Sequence, residues 1–141
     1  MENLYTLKVY LPRRSREIYR VLAICGDETM DCLCDAILNA FDFDHDHLHE
    51  FYLSERKHRG PMILGPGVED FGEGPYSYEV QLDRLNLVKG QKIYLHYDFG
   101  DDWVFVISTQ KVENVGRHIV PRVIKSKGEL EQYPVWDEED E

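Results

Sequence analysis

Polar residues that bind cations or move protons crowd the segment DFDHDHLHEFYLS, which starts at Asp42. They are Asp42, Asp44, His45, Asp46, His47, His49 and Glu50. Carboxylates and imidazoles are the donors that hard and borderline divalent metals take. If residues 45–49 run extended, His45, His47 and His49 project from one face, because alternate side chains of a strand share a side. A calcium loop does not fit. Asp42, Asp44 and Asp46 occupy its first three ligand positions, but His47 stands where a glycine is required and Leu53 where the closing glutamate belongs. The H-E-x-x-H zinc pattern is missing too, since His49-Glu50 runs on into Phe51-Tyr52-Leu53. The same residues also read as a solvated connection that Leu48 and Phe51 anchor to the core.

Asp98, Asp101 and Asp102 gather around Gly100. Several carboxylates at one hairpin tip suit a cation or acid–base work. Asp and Gly are equally the residues a tight turn demands, because they tolerate positive φ. If the two clusters met in space, His47, His49, Asp98, Asp101 and Asp102 would form a mixed site for a divalent metal ion. Cys32 and Cys34 are two residues apart, which turns about 200° around a helix and points the thiols apart. Only Cys25 remains to complete a zinc set, so the thiols read as apolar core residues. His58, His96 and His118 receive no role from the sequence.

The elements that must position these groups are legible in the periodicity. LYTLKVYL (4–11) alternates with Tyr5, Leu7, Val9 and Leu11 on one face, a half-buried strand. Pro12 and the arginines after it end that strand, and IYRVLAI (18–24) reads as its antiparallel partner. Beyond the Gly26-Asp27 turn the period changes. Met30, Leu33, Cys34, Ile37, Leu38 and Phe41 form one stripe of a helix over 29–41, with Asp27 or Thr29 at its cap and Asp31, Asp35 and Asn39 off the stripe. A strand is expected near 48–53, then a long Gly- and Pro-rich surface loop over 58–75. Strands follow at 77–82, 92–99 and 103–109, with a helical turn within 83–88. The last two strands form a hairpin around Gly100-Asp101-Asp102. A shorter strand is expected at 119–124. Helices and strands do not alternate regularly. The expected fold is therefore α+β: a mainly antiparallel sheet of five to six strands, one long helix and one or two short ones. Residues 1–132 read as a single domain and 133–141 as an acidic, disordered tail.

Charge narrows the partners. The chain of 141 residues has 27 Asp and Glu against 16 Lys and Arg, a net −11, and five acids close it as Asp137 to Glu141. A field of that sign opposes a nucleic-acid backbone, and the one dense basic patch, Arg13, Arg14, Arg16 and Arg20, fits a solvated loop between strands equally well. No apolar run is long enough to span a membrane, and no signal-peptide pattern follows Met1. Three cysteines, an odd number, without a secretion signal suggest reduced thiols and a cytoplasmic location.

Two strings together, HLHEFYL (47–53) and YDFGDDW (97–103), joined to the opening LKVYL and IYRVL strands, resemble the Ri-plasmid open-reading-frame-three-like family. Its members are also described as insertion-element passenger proteins of TnpR type. The resemblance runs over roughly residues 4–136 and implies a small α+β domain associated with mobile elements. Tyr19-Arg20 stands where members often carry Trp-Arg, and Cys34 lies near a position where a helical His is common. The resolvase activity implied by the TnpR label is not expected of this chain, which offers no serine nucleophile in a plausible site and has the wrong charge.

Two functions remain after these exclusions. The leading one is a non-catalytic binding or interaction module that reaches a protein partner through the Gly/Pro loop, the hairpin tip or the acidic tail. The alternative is a metal-dependent, hydrolase-like enzyme in which a cation on the His/Asp cluster activates water. Oligomeric state is open.

Overall fold

In the computed structural model, residues 2–54, 61–67 and 75–133 are described. They form one seven-stranded sheet: β1 (Glu2–Tyr10), β2 (Tyr19–Cys25), β3 (His49–Tyr52), β4 (Met62–Leu64), β5 (Lys92–Tyr97), β6 (Trp103–Val115) and β7 (Arg122–Lys127). The order across the sheet is β4-β3-β5-β6-β1-β2-β7, and every ladder is antiparallel. One α-helix, α1 (Met30–Ala40), sits between β2 and β3 in sequence, and a 3₁₀ turn occupies Leu82–Leu85. The α+β class and the antiparallel sheet are as expected. Among the described residues the strand count is seven rather than five to six, and there is a single α-helix.

Alternation decides which face each strand buries. Leu7 and Val9 of β1, Leu22 and Ile24 of β2, Leu95 of β5 and Phe105 of β6 point to one side and are essentially inaccessible. The apolar stripe of α1, Met30, Leu33, Ile37 and Leu38, closes over them in one core. Each such side chain contributes about 1.5–3 kcal/mol on leaving water. Thr29 caps the helix, its hydroxyl accepting from the Cys32 N–H at 3.1 Å.

Several expectations are corrected. The segment 77–82 is not a strand, because its main chain is used to start α1: Met30 N–H donates to Val80 O at 2.8 Å and Asp31 N–H to Ser77 O at 3.0 Å. β4 lies inside the stretch read as a long Gly- and Pro-rich surface loop; residues 58–60 and 68–74 of that stretch fall outside the described residues. β6 continues six residues past Thr109 because β1 pairs with it as far as Val115. The acidic tail from 134 onward lies outside the described residues. Among the described residues no helix is long and apolar enough to cross a membrane.

Arg20 leaves the basic patch that its neighbours Arg13, Arg14 and Arg16 form on the surface. It is 9% exposed. Its Nε donates to Ala40 O at 2.8 Å, and its Nη1 donates to the carbonyls of Tyr19, Lys127 and Gly128 at 2.9, 3.1 and 2.8 Å. The guanidinium also lies over the Phe41 ring, 4.7 Å from its centre. One side chain thus ties the end of α1 to β2 and to the edge strand β7. R20A strands those carbonyls and should cost about 3 kcal/mol in urea unfolding, since each bond has a charged donor. A loss below about 1 kcal/mol would mean that water replaces the guanidinium without penalty.

Candidate functional site

The histidine-rich segment is not loose. Phe43 packs edge-on against Trp103, ring centres 4.9 Å apart, and its N–H donates to Leu38 O at 2.8 Å. The buried Tyr97 phenol accepts from His47 N–H at 3.2 Å and donates to the carbonyl of Asp44. Asp98 N–H donates to Leu48 O at 2.9 Å, and Gly65 N–H to His49 O at 3.0 Å. A Cβ at residue 65 would stand 2.5 Å from that carbonyl, so the approach of the 65–67 turn requires glycine there.

Fixed in this way, His45, His47 and His49 line one cleft of about 240 Å³ with Asp31, Asp35 and Tyr97. Each imidazole meets a different carboxylate. His45 Nδ1 is 3.2 Å from Asp35, His49 Nε2 is 3.4 Å from Asp31, and His47 Nε2 is 3.4 Å from Asp98 Oδ2. His49 Nε2 also reaches Ser77 Oγ at 3.1 Å, and that hydroxyl donates to Asp31. Asp31 and Asp35 are one helical turn apart, which is why they share the cleft wall. Their i, i+4 spacing was the available signal; as off-stripe residues they read as solvated.

The five residues expected at a mixed site divide among several places. His47 and Asp98 meet. His49 turns to Asp31 and Ser77 instead. Asp101 gives its N–H to Asp98 Oδ1 at 3.2 Å, and Gly100 does the same at the same distance. Asp98 is therefore both the brace of the hairpin turn and, through Oδ2, the partner of His47. It is 6% exposed and holds φ at 60°, where Asp is among the few tolerated side chains. At the outer end of the cleft, His47 Nε2 is also 3.3 Å from Asp46 Oδ1 and in contact with the Tyr133 hydroxyl. Partial loss of water, and then the fields of Asp46, Asp44, Asp98 and Asp101, raise the Tyr133 phenol above its ordinary range. Asp46 and Asp98 thus meet at His47, and the fields of Asp44 and Asp101 reach the neighbouring phenol.

Asp102 goes to the other face of the sheet. There Glu50 of β3 stands directly opposite His96 of β5. His96 Nδ1 is 2.8 Å from Glu50 Oε2, and its Nε2 meets Asp102. The Tyr52 hydroxyl donates to Glu50, and Phe99 stacks on the imidazole with ring centres 4.8 Å apart. His96 and Glu50 are buried, 4% and 7% exposed. The hairpin tip DFGDD therefore holds one histidine on each side of the sheet, His47 through Asp98 and His96 through Asp102. His96 had no role in the sequence reading because its partners are 46 residues upstream and at the far end of a turn.

The profile of the plasmid pRiA4b ORF-3-like proteins matches residues 3–132, from β1 through the residues after β7. The chain belongs to that family. A crystal structure of a protein of unknown function from Methanosarcina mazei Go1 is similar to this family member, with a TM-score of 0.66 and 23% identity. The match covers 89% of this chain and 70% of the other, and it speaks for the fold. No curated protein matches the chain.

In this plasmid pRiA4b ORF-3-like protein, two variants of Asp98 separate turn from charge. D98N keeps an acceptor for the Gly100 and Asp101 amides and tolerates positive φ, so its unfolding free energy should stay within about 1 kcal/mol of wild type. D98A loses both and should cost about 2 kcal/mol or more. Equal losses would assign the stability to the His47 pair rather than the turn.

His49 supplies a pH prediction. Burial, the largest influence, holds its imidazole below the ordinary 6.5 against the opposing pull of Asp31. The unfolded chain therefore binds a proton at a pH where the folded chain does not. That contribution to stability is complete above about pH 6.5 and is lost as pH falls from there through the lower folded value. Urea midpoints should decline as pH falls below about 6.5, and H49Q should flatten the decline. An unchanged slope in H49Q would mean that His49 is free to take up its proton in the folded state.

Proposed function

We propose that this protein is a non-catalytic binding module, and that its binding surface is the outer end of the histidine cleft together with the acidic hairpin tip beside it. The observation that carries the reading is the meeting of Asp46 and Asp98 at His47, which also touches Tyr133, with Asp44 and Asp101 close enough for their fields to reach that phenol. With Asp31 and Asp35 on the wall of the adjoining cleft of about 240 Å³, an acidic surface of this kind suits one cationic head group, such as the arginine or lysine side chain of a partner protein. The rigid walls limit what ordering costs on binding. Carriage with a mobile element, as the insertion-element resemblance implies, would make that partner another product of the element or its host.

A second reading, a metal-dependent enzyme of hydrolase type on His47, His49, Asp98, Asp101 and Asp102, has one observation in its favour. His47 Nε2 lies 3.3 Å from Asp46 Oδ1 and 3.4 Å from Asp98 Oδ2, separations that ligands of one divalent ion subtend.

A fluorescent arginine-rich peptide, titrated at low and at physiological salt, distinguishes the two. The module should bind it, and D98N and D101N should each weaken binding several-fold. E17Q, an equal charge change at an exposed position on the β1–β2 connection, should have little effect. If E17Q weakens binding as much as D98N, the attraction belongs to the net charge and the cleft has no part in it. Stabilisation by Zn²⁺ or Mn²⁺ that H47A abolishes, with peptide binding unaffected by D98N, would move the assignment to the enzyme.

A further inference from the structure

Just ahead of the N-terminus of α1, three further groups meet. Cys25 is the last residue of β2, Asp27 lies in the turn that leads to α1, and His118 lies in the connection from β6 to β7. Their Sγ, carboxylate oxygen and ring nitrogen all lie within 4.8 Å of one another. Among the described residues no other three His, Cys, Asp or Glu side chains gather so closely. The histidine and the cysteine had separate and bland readings in the sequence, because 92 residues lie between Cys25 and His118 in a chain with no zinc spacing.

The surroundings are those a metal centre needs. His118 Nδ1 faces Asp27, at 3.1 and 3.2 Å from its two oxygens, while Nε2 is 3.0 Å from Glu28 Oε1. A ligating histidine ordinarily gives its other N–H to such a carboxylate, which fixes ring and tautomer. Cys25 Sγ is fully buried and accepts the N–H of Ile119 at 3.3 Å, a donor that steadies a thiolate. Cys32 does not compete, since burial and then a hydrogen bond to Glu28 push its thiol up to about 12. The turn itself is braced. Gly26 N–H donates to Asn3 O at 2.8 Å, Asp83 N–H to Gly26 O at 2.9 Å, and Leu82 N–H to Glu28 O at 2.9 Å. A Cβ on Gly26 would overlap the Asp83 carboxylate, so the backbone is pinned by a contact only glycine permits.

We propose that Cys25, Asp27 and His118 bind a divalent ion of the zinc class, with Glu28 orienting the histidine and one coordination position open to solvent or a ligand. Thiolate, imidazole and carboxylate are the donors Zn²⁺ takes, at about 2.0–2.3 Å each, so the three atoms need close on the ion by only on the order of 1 Å. Three protein ligands with a free fourth place is the pattern of a reactive centre rather than a closed structural one. The ion would tie the β6–β7 connection to the start of α1. This site shares no residue with the histidine cleft and stands or falls independently of the binding module.

Cobalt is the probe, because a thiolate bound to Co²⁺ absorbs by charge transfer in the near ultraviolet. Full-length protein stripped with chelator should bind one Co²⁺ with that band, and Zn²⁺ should displace it and raise the melting temperature. C25S should abolish the band. D27N and H118A, both at exposed positions that leave the core intact, should weaken binding at least tenfold, and E28Q by about tenfold to a hundredfold. Absence of the band in the wild-type protein would overturn the proposal. So would a band that persists in C25S, which would belong to Cys32 or Cys34, or an affinity that D27N and H118A leave unchanged.

Discussion

The arrangement of both sheet faces depends on a five-residue hairpin tip whose main chain is held where few side chains can follow. Asp98 and Asp102 sit at φ of 60° and 58°, with Gly100 between them. Asp98 satisfies two amides of the turn with one oxygen and faces His47 with the other. Asp102, four residues on, emerges on the opposite side and meets His96. Replacing either by a β-branched residue would strain the turn and release a histidine at once. The turn requirement and the electrostatic requirement therefore fall on the same residues, and this accounts for why the DFGDD string is so particular.

The fold was legible where a single element carries its own period. Met30, Leu33, Ile37 and Leu38 mark α1 without help from any other segment, and the β5–β6 hairpin announces itself by alternation around Gly100. Reading failed where tertiary contacts set the outcome. Ser77 and Val80 look like strand residues, yet their carbonyls are taken by the first amides of α1, so no ladder forms there. Met62–Leu64 is three residues long, too short for alternation to be seen, and becomes a strand only because β3 offers an edge.

The candidate site divides along the same line. His45, His47 and His49 could be grouped from spacing, since a strand-like run puts them on one face. Their partners could not. Asp31 and Asp35 come from the polar side of a helix, Asp98 from a distant hairpin, and Asp27 reaches His118 across 91 residues. A common logic links them. Each described histidine lies against at least one carboxylate, so part of the −11 charge is drawn inward to hold imidazoles. Acidic composition in this chain is a structural resource as well as a solvated surface.

The surroundings of His47 bear on the choice between binding and catalysis. A general base needs one ring nitrogen held by an acceptor and the other left with a lone pair facing the substrate. His47 presents Nε2 to three oxygens at once, those of Asp46, Asp98 and Tyr133. Acceptors on that side favour an N–H there, not a lone pair, and so oppose a base at Nε2 unless an ion displaces the proton. The Asp oxygens, in contrast, keep lone pairs beyond those given to the turn. An incoming cationic group can meet them without any rearrangement of the hairpin. The physical balance at this end of the cleft thus agrees better with the proposed recognition of positive charge than with proton abstraction, and leaves the proposed set of Cys25, Asp27 and His118 as the better set of donors for coordination chemistry.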